Sequence, residues 1–197
     1  MFTIVKQFES TIAAFYNSPY AVATDCCTHA IELCLRYKNI KQTICVPRRT
    51  YVSVPMTAKK LGLNINWADT KWRDYYHITH SIYDAAVLWK DNSYVANSLM
   101  CISFQNSKHL KLGRGGAILC QTLEEYETLK AMSYDGRDLS ITPWGLQNIT
   151  TIGYHYYMTP ETAQLGLDEL PKAMATIPKL WSYKNYPDIS KMSVFND

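Results

Sequence analysis

The stretch "SFQNSKHLKLGRGG" (Ser103–Gly116) decides how this chain is read. It joins two apolar runs, "SLMCISF" (98–104) and "GAILC" (116–120). Short apolar runs bounded by turn residues read as buried strands. Between them lie Lys108, Lys111, Gly113 and Gly115, and Gly116 opens the second run. The glycines let the backbone turn tightly behind the lysines. A lysine at the mouth of a strand is either a solvated charge or an amine held against a carbonyl compound.

Outward from this stretch, strands and helices alternate. Ile4, Phe8, Ile12 and Phe15 share one helical face, "YAVAT" (20–24) is a short strand, and Ala30, Ile31, Cys34 and Leu35 again fall at helical spacing. "TICVP" (43–47) is a strand, 51–61 a helix ending at Gly62, and "LNINWAD" (63–69) a half-buried strand. "TKWRDYYHITH" (70–80) is irregular, and "SIYDAA" (81–86) is a further buried strand. Thr122 with Glu125 forms a capping box, and Thr159 with Pro160 opens a last helix. The last 27 residues are expected to be loop-like, with Pro171, Pro178 and Pro187.

This order predicts an α/β fold, a three-layer α/β/α arrangement with a mainly parallel sheet. Ligands in such sheets sit at the carboxyl ends of strands, where Asp84 and Ser103 both fall.

Composition narrows the function. A chain of 197 residues with 47% hydrophobic content can bury a core. The net charge of +3 is scattered, which argues against nucleic-acid binding. No run approaches the ~20 apolar residues of a membrane span, and "MFTIVKQFES" lacks a signal pattern. A soluble, cytoplasmic protein is expected. The six cysteines include no C-x-x-C, and the five histidines show no metal-ligand spacing, so no metal is expected. Fifteen tyrosines suit pockets and subunit interfaces.

Six segments in order resemble the DegT/DnrJ/EryC1/StrS family of pyridoxal-phosphate-dependent sugar aminotransferases, of fold type I. They are "AVATDCCTHAIELCL" (21–35), "VPRRTYVSV" (46–54), "YDAAV" (83–87), "ISFQNSKHLKLGRGGAILC" (102–120), "DGRD" (135–138) and "GYHYYMTPETAQLGLDEL" (153–170). The resemblance implies that Lys108 holds pyridoxal 5'-phosphate covalently and then moves a proton, and that Asp84 faces the pyridine nitrogen. It implies that Tyr51 stacks on the ring and that Ser103 donates to the phosphate. Thr28, with the backbone N–H groups of Cys27 and His29, would hold that phosphate at a helix N-terminus. Tyr157 occupies the position placed near the phosphate of a dimer partner.

Departures accompany the matches. Cys27 replaces a glycine, Val87 replaces a residue that contacts the ring hydroxyl, and His155 replaces an asparagine. Arg48 and Arg49 are a solvated pair or face a substrate diphosphate. Asp84 follows Asp69 by only 15 positions, where the family has at least one more β-α unit. Most of the small domain is also missing. The expectation is therefore a shortened large domain over 1–170 with a vestigial tail over 171–197, an economy that suits a compact, viral genome. The reaction implied is transfer of an amino group, from glutamate, to a keto-sugar nucleotide, in a homodimer with shared sites. Two alternatives stand beside it. One is a sugar dehydratase, which needs a histidine in place of the lysine and for which His109 is adjacent. The other is a degenerate binding or assembly module.

Overall fold

A computed structural model describes residues 2–141 and 143–195. Its elements run α1 (Thr3–Tyr16), β1 (Tyr20–Thr24), α2 (Cys27–Tyr37), β2 (Thr43–Pro47), α3 (Ser53–Lys60) and β3 (Asn64–Ala68). There follow β4 (Tyr76–His77), β5 (Ile82–Asp84), β6 (Leu99–Ser103), β7 (Gly116–Cys120), α4 (Leu123–Ser133) and α5 (Pro160–Met174). β4 lies inside the stretch expected to be irregular.

Both faces of the central strands are apolar, and both are covered. Ala21, Ala23, Met100, Ile102, Ala117 and Leu119 point toward α1 and α5, where Phe8, Ile12 and Ala163 meet them. The alternate residues Val22, Leu99, Cys101, Ile118 and Cys120 point toward α2 and α4, against Ile31, Cys34 and Leu129. Two buried faces explain why these strands read as continuous apolar runs, and they produce three layers.

The α/β class stands, but the sheet is mixed where a mainly parallel one was expected. Five strands run in the order β1-β7-β6-β5-β4. β5 and β6 are parallel, while β1/β7, β6/β7 and β4/β5 are antiparallel. The reason lies in the connections. Only four residues (78–81) join β4 to β5, too few for the crossover a parallel pair needs, whereas the 14 residues (85–98) between β5 and β6 allow a parallel return without a helix. β2 and β3 enclose α3 and do pair in parallel. The Cys45 N–H donates to the Ile78 carbonyl at 2.9 Å and ties that pair to the β4 side of the larger sheet.

α5 also departs from expectation, because it continues through Pro171 to Met174. A proline inside a helix removes one backbone donor. Burial of Leu170 and Ala173 in the α1–α5 core holds the last turn in place. Beyond it the chain folds back over the body. Ile189 and Phe195 are buried, and the Ile189 N–H donates to the Arg48 carbonyl.

Candidate active site

Asp84 ends β5 and is 5% exposed. Its Oδ2 accepts a 2.5 Å hydrogen bond from the Tyr76 hydroxyl, which also meets Thr50. Its Oδ1 accepts from the Ala86 N–H at 2.9 Å. Burial raises the Asp84 pKa, opposed by the Tyr76 and Ala86 hydrogen bonds and the charge of Lys108. Lys108 shows the opposite response. Burial lowers its pKa, while Cys27 and Asp84 pull it back up. A lysine shifted this way spends more time as a neutral, nucleophilic amine.

A second group of residues lies at the N-terminus of α2. The helix begins at Cys27, its N-cap Cys26 makes no side-chain cap, and no acidic residue occupies the first turn. Free first-turn N–H groups and the helix dipole favour an anion there. Thr28 Oγ1 donates to Ser53 Oγ at 2.9 Å. Cys27 is buried with its Sγ 3.5 Å from the Cys101 carbonyl. Gly116 supports this turn from below, since a Cβ there would stand 2.5 Å from Cys26 C and Cys27 N.

Two cations flank the same turn. His29 Nδ1 is 2.7 Å from Asp25 Oδ1, and Arg114 donates to Asp25 Oδ2 at 2.6 Å. Burial alone would lower the His29 pKa, but hydrogen bonds with Asp25 and Cys26 push it up to about 9. Its ring stacks on Tyr156 at 3.7 Å. Asp25, Cys26 and His29 present ligand-type atoms within 4.8 Å of one another. Both oxygens of Asp25 are committed to the two cations, which makes the cluster an ion-pair network.

Ser103 and Lys108 face a cavity of about 430 Å³, whose walls include Val87, Trp89, Lys111, Glu169, Lys172 and Trp181. Four lysines (108, 111, 172 and 179) against one glutamate give the cavity a positive character. Tyr51 is 58% exposed and does not line this cavity. Tyr157 does not line this cavity either. Its ring packs on Phe2, Tyr134 and His155, and its backbone bridges Thr24.

Lys108 interacts electrostatically with Asp84. His109 instead places Nε2 2.8 Å from the Ala173 carbonyl at the end of α5. Arg49 is exposed and Arg48 half-buried, and both line a second cavity of about 230 Å³ with Asp69, Lys71, Tyr183 and Asp188. Arg48 donates to Ser190 Oγ and pairs with Asp69, and Arg49 donates to the Tyr186 carbonyl.

Sequence reasoning missed several residues here. Tyr76 lay in the stretch read as irregular, and Arg114 was hidden among the glycines that drew attention to its loop. Trp181 and Tyr186 fall in the segment expected to be loop-like. Trp181 places its ring 5.3 Å from Lys108 Nζ. Tyr186 lies in the electrostatic field of Asp84, Cys27 and Tyr51.

A sequence model of the DegT/DnrJ/EryC1/StrS aminotransferase family matches residues 2–90 and 93–179. No curated protein matches the chain. Several solved structures share the fold. AtS13 from Actinomadura melliaura superposes with a TM-score of 0.77 at 19% identity, over 87% of this chain and 60% of that one. The PLP-form of the putative sugar aminotransferase Spr1654 from Streptococcus pneumoniae gives 0.71 at 18%, over 87% and 60%. Sugar aminotransferase CalS13 from Micromonospora echinospora gives 0.72 at 13%, over 88% and 61%. The chain thus spans about 60% of the length of these neighbours.

Proposed function

The chain belongs to the DegT/DnrJ/EryC1/StrS aminotransferase family, and on that premise we propose that it moves an amino group, from glutamate, to a keto-sugar nucleotide. The family depends on pyridoxal 5'-phosphate. The observation that carries the proposal is the buried Asp84, held by Tyr76 and Ala86, together with Lys108 at the cavity and the uncapped N-terminus of α2. That donor set fits the cofactor. Asp84 offers a buried carboxylate for a ring nitrogen, Lys108 an amine for a carbonyl, and α2 a cradle for a phosphate.

When bound, pyridoxal phosphate supplies an electron sink. The protein supplies the rest. Asp84, held by Tyr76 and Ala86, keeps a proton on the facing nitrogen. Lys108, shifted toward its neutral form, accepts and returns the proton at the reacting carbon. Thr28 and the first-turn N–H groups of α2 fix the phosphate, with His29 and Arg114 adding positive charge nearby. Lys111 and Lys172 line the cavity outside Lys108, which suits a substrate that carries phosphate. Glutamate as donor and a nucleotide-linked sugar as acceptor both belong to this reading.

The test is a visible spectrum with pyridoxal phosphate, before and after glutamate. A band that fades with glutamate and returns with a keto-sugar nucleotide is expected. Lys108→Ala should abolish turnover and the covalent link. Asp84→Ala should keep binding the cofactor but lose about 10²–10⁴-fold in rate, the usual worth of a positioned proton-transfer group. Near-normal rates in either variant would remove that residue from the assignment. Val87 and Cys27 favour the alternative of a binding module, which the absence of any band would support.

A further inference from the structure

We propose that the segment from Lys179 to Ser190 is the outer wall of the active site, with Trp181 shielding Lys108 from water and Tyr186 closing the Asp84 end. The inference concerns the site on which the proposed function rests, but it stands on contacts within the chain.

The segment is fastened on both sides of the site. The Asp74 N–H donates to the Trp181 carbonyl, and the Tyr183 N–H donates to the Trp72 carbonyl, each at 3.2 Å. Arg73 bridges Ser182 through the backbone. Farther along, Arg49 Nη1 donates to the Tyr186 carbonyl at 2.9 Å, and Arg48 Nη1 donates to Ser190 Oγ at 2.7 Å. Arg48 and Arg49 therefore act as a latch.

Between these fastenings the segment presents two aromatic side chains inward. The Trp181 ring lies 5.3 Å from Lys108 Nζ, and Lys179 Nζ is 4.3 Å from the same ring. The Tyr186 ring packs on Trp72 at 5.5 Å and on Trp181 at 6.0 Å. Trp72 in turn packs on Tyr76, the residue that donates to Asp84. One continuous aromatic surface thus runs from the ammonium of Lys108 to the carboxylate of Asp84.

This arrangement makes Trp181 a positioning residue. Asp84 on β5 and Cys27 on α2 act on Lys108 from inside. From outside the cavity holds His109 and Lys111 of its own loop, Glu169 and Lys172 of α5, and Lys179 of the segment itself. Burial is the largest influence on the Lys108 pKa, and it lowers it. An indole face also attracts an ammonium, but only modestly at this distance. Removing the ring should therefore let water in and raise the pKa.

The test is trace acetylation of the apoprotein with acetic anhydride across the alkaline range, read peptide by peptide by mass spectrometry. Exposed Lys111 serves as the internal reference. In the wild type, Lys108 should titrate below the ordinary lysine value of about 10.4. In Trp181→Ala its midpoint should rise by about one unit, a tenfold change in the amine fraction, and Trp181→Phe should restore most of the difference. Arg49→Ala, which opens the latch without touching the aromatic surface, should raise the rate at which Lys108 is labelled. A Lys108 midpoint that stays put or falls in Trp181→Ala, or an unchanged labelling rate in Arg49→Ala, would overturn the proposal. None of these readings requires cofactor. A chain that labels as expected but never binds pyridoxal phosphate would keep the wall and lose the aminotransferase.

Discussion

His29 and Asp25 show how one pair can serve both folding and a site. The His29 pKa is raised to about 9, against an ordinary value of about 6.5. A base whose folded pKa is raised contributes stability that is full below its unfolded value and is lost as pH rises through the folded one. Asp25 is the reverse case. Burial raises its pKa, but hydrogen bonds and charges from His29 and Arg114 leave it lowered, so its contribution is lost in acid. The stability margin of the wild type over His29→Asn should be greatest just below about pH 6.5 and shrink between about pH 6.5 and pH 9. Urea titrations at pH 6.5 and 9.5 would check this, and a constant margin would contradict it.

Glu9 offers a harsher test. It is buried beneath the sheet, where Lys130 pairs with it at 2.5 Å, the Ala23 N–H donates at 2.7 Å and the Tyr126 hydroxyl at 3.3 Å. Burial raises its pKa even with Lys130 present. Lys130→Met leaves the carboxylate unpaired, which in buried pairs costs about 3–5 kcal/mol. The cost should be larger at pH 8 than at pH 5, because at low pH Glu9 can take up a proton instead. Equal losses at both pH values would show that the ion pair does not matter.

At the scale of elements, α1 and α5 pack closely because Gly166 leaves room for Phe8. A Cβ at Gly166 would meet the Phe8 ring at 2.4 Å. Gly166 has helical neighbours on both sides, so alanine would help the isolated helix. Overpacking typically costs about 1–3 kcal/mol, which exceeds the gain of up to about 1 kcal/mol from helix propensity. Gly166→Ala should therefore lower the melting temperature. A higher one would mean that Phe8 moves aside freely. The helix ends themselves were legible, since Thr122 and Glu125 make the expected capping box and Thr159 caps α5. The strand directions were not, because alternation of apolar residues says which faces are buried but not which way a neighbour runs.

For the whole molecule, the exposed apolar residues between 141 and 152 are the open question. Trp144 is exposed, as are Ile141 and Ile149, while Leu146 and Ile152 are 77% and 79% exposed. The buried Arg137 Nε beside them has no hydrogen-bond partner among the described residues. Apolar surface of this kind marks association. We expect a homodimer by light scattering, reduced to a monomer by the pair Leu146→Glu and Ile152→Glu. A monomeric wild type would leave this surface to another partner. Among the described residues no helix is long and apolar enough to cross a membrane.

The sequence by itself determined most of the elements, the caps that open α4 and α5, the burial of the central strands and the order in which Asp84, Ser103 and Lys108 occur. These follow from local periodicity and from motifs only a few residues long. Only the tertiary structure decided what surrounds Lys108. Tyr76 comes from β4, Arg114 from the loop after β6, and Trp181 and Tyr186 from the segment after α5, and no local pattern marks them. A side chain acquires such a role when chain packing removes water from around it, which depends on contacts distant in sequence. The same residues would be ordinary surface groups in a chain that did not fold back on itself.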